Sequence, residues 1–173
     1  MNDSSDDVGN YLPRVIKIIG IGQSLRGDYA AGLSAVNLWH KTFHPGALPP
    51  GLQVELVELV GIGLLNLLEG AHYAILVDAV HSGARPGAIH RLTEDQLESF
   101  IDGSGSAHGW GVAETLSLGR QLTPLSLPSK LILIGIEAGQ FNLGEALSPE
   151  VAESLPEVAR FIEELVSSAL LHQ

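Results

Sequence analysis

The chain has 173 residues, 45% hydrophobic and 17% charged, a composition that folds rather than stays disordered and a length that gives one α/β domain its own core. Nine basic side chains against 20 acidic ones leave a formal net charge of −11, which argues against a nucleic-acid partner; the absence of cysteine excludes disulfides and thiolate metal sites. Residues 1–10 lack the basic start and apolar core of a secretory signal, and no apolar run is long enough to span a bilayer, so the expectation is a cytoplasmic protein with no membrane insertion.

Residues 1–12 read as a flexible polar tail and 13–173 as a single domain. Residues 15–19 are almost wholly apolar and β-branched, the pattern of a strand covered on both faces. Gly20 and Gly22 follow as a turn, then a polar loop, then Gly27-Asp28 before a helix over 29–43, with Asp28 as its expected N-cap. Residues 53–59 alternate polar and apolar, predicting a strand near an edge with one wet face, and 62–68 form a short helix ended by Gly70. Residues 73–77 are a second buried strand that delivers Asp78 at its carboxyl end. A loop over 82–87 and a short strand over 88–92 come next. Thr93 then caps a helix, with Gln96 placed for a capping box. Residues 103–106 are flexible by composition, and a helix is expected from His108 to Leu122. Residues 131–134 are a third buried strand, with Gly135-Ile136-Glu137 expected as a loop. Ser148 caps the last helix, Pro149 occupies its first position, and Val151, Leu155, Val158, Ile162, Leu165 and Val166 make its apolar stripe. The alternation predicts a three-layer α/β fold: a mostly parallel, twisted sheet with helices on both faces, and the strands at 15–19, 73–77 and 131–134 as neighbours.

In such a sheet chemistry gathers at the carboxyl ends of parallel strands. Three loops there carry Asp28, Asp78 and His108, an oxygen and nitrogen donor set that suits a metal site with open positions. Each has a plainer reading as well: Asp28 as a helix cap, Asp78 as a turn cap and His108 as a helix-start histidine. Ser24, Ser82 and Ser106 lie near these loops, but none sits in a Gly-x-Ser-x-Gly elbow, so serine hydrolysis is not expected. Gly20-Ile21-Gly22 after a strand suggests a dinucleotide loop. The third glycine of that motif would fall on Leu25, however, and Asp28 would repel a phosphate. His81, just beyond Asp78, has two readings, a surface histidine or a helper of the site, and Arg85 likewise, a solvated arginine or a contact for an acidic segment or the carboxyl end of a substrate.

The ordered set is more informative than any one motif. Gly20 to Asp28, then Val77-Asp78-Ala79-Val80 with Pro86-Gly87, then Ser106-Ala107-His108, then Gly135-Ile136-Glu137 and Leu147-Ser148-Pro149 resemble the hydrogenase maturation protease family. The resemblance implies an endopeptidase that removes the C-terminal extension of a nickel–iron hydrogenase large-subunit precursor after nickel insertion, with the nickel supplied by the substrate. Its chemistry would be metal-assisted amide hydrolysis by an enzyme of aspartic type. It places ligand or catalytic roles at Asp78 and His108. The first loop departs from the family, which usually carries two consecutive acidic residues there, the second being the ligand. Here Asp28 matches the first and Tyr29 stands at the second; Gln23 replaces the usual asparagine. A phenol, with an ordinary pKa of about 10, is a poor ligand at neutral pH. Asp28 is then the substitute, or Glu137 helps, or the site is impaired and the chain binds precursor or nickel without cutting. Tyr29 also has a packing reading, against Leu33 and Val36 on one helical face.

Overall fold

The computed structural model describes residues 14–58, 61–101 and 111–171; the expected tail and the segment holding His108 lie outside them. Five strands, β1 (Ile16–Gly22), β2 (Leu52–Glu58), β3 (Tyr73–Val80), β4 (Ile89–Thr93) and β5 (Lys130–Glu137), form one sheet in the order β2-β1-β3-β5-β4. All neighbours are parallel except β4, which runs antiparallel to β5. The three buried apolar runs are therefore adjacent, as expected. β2 is an edge strand with exposed Gln53, Glu55 and Leu56.

Side chains alternate along each strand, so the sheet divides its apolar residues between two layers. Ile16, Ile18, Ile75, Val77, Ile134 and Ile136 pack under α1 (Ala31–Phe43) and α5 (Pro149–Leu171). Ile19, Ile21, Ala74, Leu76, Leu131 and Leu133 pack under α2 (Leu64–Leu68), α3 (Glu94–Ile101) and α4 (Val112–Leu122). The start of α1 lies hard against the sheet. A Cβ on Gly32 would run into the carbonyl oxygens of Ile21 and Val77, so glycine is the residue that permits this approach.

Several expectations need correction. Gly20 and Gly22, expected as a turn, lie within β1. Residues 135–137 are not a loop: they extend β5, because β3 on one side and β4 on the other offer backbone partners as far as Glu137 and Ile136 respectively. Asp28 does not cap α1; it sits inside a one-turn 3-10 helix (Gly27–Ala30), and Ala30 holds the cap position with no side-chain bond. α4 begins at Val112, and the expected start at His108 falls outside the described residues. One arm of the expected capping box is in place: the Gln96 side chain accepts the Thr93 N–H at 3.0 Å. Pro156 lies inside α5, which runs unbroken for 23 residues. Among the described residues no helix is long and apolar enough to cross a membrane.

Candidate functional site

After β1 the chain turns to one side to make β2 and then to the other to make β3. The carboxyl ends of β1 and β3 are thus the switch point where an open α/β sheet leaves a crevice. β3 is flanked by β1 and β5, and the loops that leave those two strands, 23–30 and 138–148, meet beside its end.

Asp28 is what joins them. Its carboxylate is fully buried and takes four donors: Ser148 N–H on Oδ1 at 2.7 Å, and Gly139 N–H, Ser148 Oγ–H and Gln140 N–H on Oδ2 at 2.8, 2.9 and 3.0 Å. Three of these donors fall on Oδ2 and one on Oδ1, so the carboxylate is committed chiefly to the loop it holds. Ser148 in turn accepts the Val151 N–H and caps α5, as expected.

Glu137 is committed in the same way. It is fully buried at the end of β5 and accepts the N–H groups of Ser82 and Gly83 at 2.8 and 3.0 Å, the Ser82 hydroxyl at 2.7 Å, and contacts His90 Nε2 at 3.2 Å. Ser82, His90 and Glu137 therefore form a triangle. It is not a nucleophile relay, because Ser82 and Glu137 both meet the same ring nitrogen of His90. Ser24 likewise donates to a carboxylate, that of Glu58 on the edge strand.

Asp78 differs from both. It lies in β3, 5% exposed, and accepts one hydrogen bond, from the adjacent Ala79 N–H at 2.8 Å. Among the described residues nothing donates to its second oxygen. Removal from water disfavours the charged form and pushes its pKa up to about 7, with the Ala79 bond opposing the shift. Among the described residues, Asp78 is the buried acid left with an acceptor to offer.

Tyr29 stands beside it. Burial raises the phenol above its ordinary value, the Arg26 charge opposes this, and the Asp78 charge adds to it, so the ring stays protonated. Its ring packs tilted against Phe141, 4.7 Å between centroids, with the Arg26 guanidinium 5.3 Å away over the ring. His81 is exposed and meets the same Phe141 edge-on at 5.4 Å. Tyr29 packs against the core that includes Val36, and its aromatic partner is a phenylalanine from the β5 loop, which no helical spacing could reveal. Arg85 is exposed on the loop after β3. His108 cannot be placed, as it lies outside the described residues. His90 carried no motif; register reveals it, since Asp78, Gly135 and His90 are successive cross-strand partners on one face.

Among the described residues no three acidic or histidine side chains gather as a metal site. With Asp28 and Glu137 filled by donors and Tyr29 neutral, the described part of the cleft offers one carboxylate, which does not make a resident three-ligand set.

The hydrogenase maturation protease family model matches residues 41–165. The chain is 30% identical over 146 residues to the hydrogenase expression/formation protein HupD of Bradyrhizobium diazoefficiens, covering 81% of this chain and 71% of that protein. It is 27% identical over 158 residues to HupD of Rhodobacter capsulatus, covering 90% and 73%. The fold is similar to that of the hydrogenase maturating endopeptidase HybD from Escherichia coli, with a TM-score of 0.78 at 22% identity over 90% of this chain and 93% of that one. It is also similar to the [NiFe] hydrogenase maturation protease HybD from Thermococcus kodakarensis, with a TM-score of 0.70 at 26% identity over 87% and 98%.

Proposed function

The chain belongs to the hydrogenase maturation protease family, and we propose that it removes the C-terminal extension of a nickel–iron hydrogenase large-subunit precursor, with nickel already in that precursor as the recognition feature. The observation that carries this reading is Asp78: a desolvated carboxylate at the switch point, to which, among the described residues, one neighbour donates and one oxygen is left to act. Asp28 and Glu137 hold the surrounding loops and leave Asp78 as the described acid that can approach the substrate.

Nickel enters as part of the substrate, whose own ligands supply most of its coordination. A metal so placed polarises a carbonyl and lowers the pKa of water. Asp78 then touches the metal from one side or orients the attacking water, and His108 is the second contact or the base. Tyr29, neutral and packed against Phe141, walls the cleft rather than binding the ion.

Incubation of nickel-loaded precursor with the protein, followed by mass measurement, tests the reading. The expected result is a truncated large subunit with the parent and none with Asp78→Asn or His108→Ala, both variants remaining folded. Normal processing by either variant removes its assigned role. Tyr29 favours one second reading, a binder that holds the precursor or a nickel-loaded intermediate without cutting it. A stable complex with no truncated product supports that reading instead.

A further inference from the structure

Two leucines stand out of the carboxyl edge: Leu25, 69% exposed, on the loop after β1, and Leu143, 76% exposed, on the loop after β5. Their backbones are joined. The Leu25 carbonyl accepts the Gly144 N–H at 2.8 Å, and the Glu145 carbonyl accepts the Gly27 N–H at 3.1 Å. Asn142 donates to the Glu145 side chain at 2.9 Å, and Gln140 Nε2 to the Ala146 carbonyl at 2.8 Å. Behind them the Asp28 carboxylate clamps the same two loops. Exposed apolar side chains on a backbone so thoroughly tied are costly to hydrate and already ordered, the condition in which little entropy is lost on binding.

Resting on the protease reading above, we propose that Leu25 and Leu143 form an apolar rim that docks an extended, apolar stretch of the precursor next to its scissile bond. The place decides the occupant. The two loops leave the strands on either side of β3, so a chain lying across them runs past the end of β3 that holds Asp78. The rim is continuous with the cleft through Tyr29 and Phe141, which belong to the same two loops and whose rings pack against each other. A second copy of this chain seated there would close the cleft to its own substrate. The rim supplies specificity through binding and takes no part in the bond-breaking step.

The test compares the parent with the Leu25→Ser/Leu143→Ser double variant on nickel-loaded precursor. Losing two apolar contacts is expected to raise KM about tenfold and leave kcat within about twofold. Direct binding of precursor to each protein, read by calorimetry, is expected to weaken by the same factor, and this readout holds whether or not the complex is cut. Leu125→Ser, at the 99% exposed leucine before β5 on the opposite edge, serves as the control and is expected to change neither quantity. An unchanged KM and affinity in the double variant, or an equal loss in the Leu125→Ser control, overturns the rim while leaving the protease reading in place. A parent that neither binds nor cuts the precursor overturns both.

Discussion

Three buried acids at one edge of the sheet have different fates, and the donors around them decide which. Asp28 collects four contacts from the loop after β5 and Glu137 four from the loop after β3 and from His90 on β4, whereas among the described residues Asp78 has a single backbone donor. The difference has a pH signature. The Asp78 pKa in the folded protein, about 7, lies above its ordinary value, so the folded state holds a proton that the unfolded state releases. Its contribution to stability is therefore complete below pH ~4 and is lost as pH rises through about 7, on the order of a few kcal/mol in all. Chemical denaturation of the metal-free protein across that window is expected to show this slope, and Asp78→Asn is expected to flatten it. Tyr29 gives a second prediction at this scale. With one described carboxylate open in the cleft, the isolated protein is expected to bind free nickel weakly. Tyr29→Glu restores an oxygen donor beside Asp78 and is expected to tighten binding at least tenfold by calorimetry. Tight binding by the parent, unchanged by the substitution, would show that another group already completes the site.

The elements bring these residues together by close packing rather than by long loops. α1 starts where β1 and β3 end, and Gly32 is the contact that lets it descend to the sheet. Gly32→Ala sets a methyl group against two backbone carbonyls, which cannot move aside as a flexible side chain can. A loss of about 3 kcal/mol or more is expected in denaturant unfolding, together with weaker processing because Tyr29 and the 23–30 loop move with the helix. α5 owes its start to the same region. Ser148 caps it while donating to Asp28, so the helix that covers one face of the sheet is anchored by the residue that closes the cleft. Strand lengths also matter at this scale. β5 is long enough to place Glu137 beside the loop after β3, and this holds Ser82 and Gly83 next to the site.

Across the whole molecule, Asp28 is bonded to residues 111 to 120 positions away and ties the first loop of the chain to its last. Asp28→Ala leaves four donors without their acceptor and is expected to cost about 3 kcal/mol or more. Hydrogen exchange is expected to quicken far more over residues 138–148 than in β3; equal effects in both would mean that the tie is not local to the cleft. The apolar runs at 15–19, 73–77 and 131–134, the alternation at 53–59 and the stripe over 149–166 determined the three-layer sheet by themselves, because the period of apolar residues states which faces are covered. The order of short motifs likewise carried the family and pointed to Asp78. What each acid does was decided by tertiary structure alone. Asp28 and Asp78 both stand next to apolar segments with loops nearby, and nothing local distinguishes a carboxylate that gathers four donors from one left with a single neighbour. The donors to Asp28 come from residues 139–148, those to Glu137 largely from 82–83, and the aromatic partner of Tyr29 from position 141. Such partners meet once the sheet has closed around β3, because the role of a buried charge is set by the groups that reach it in space.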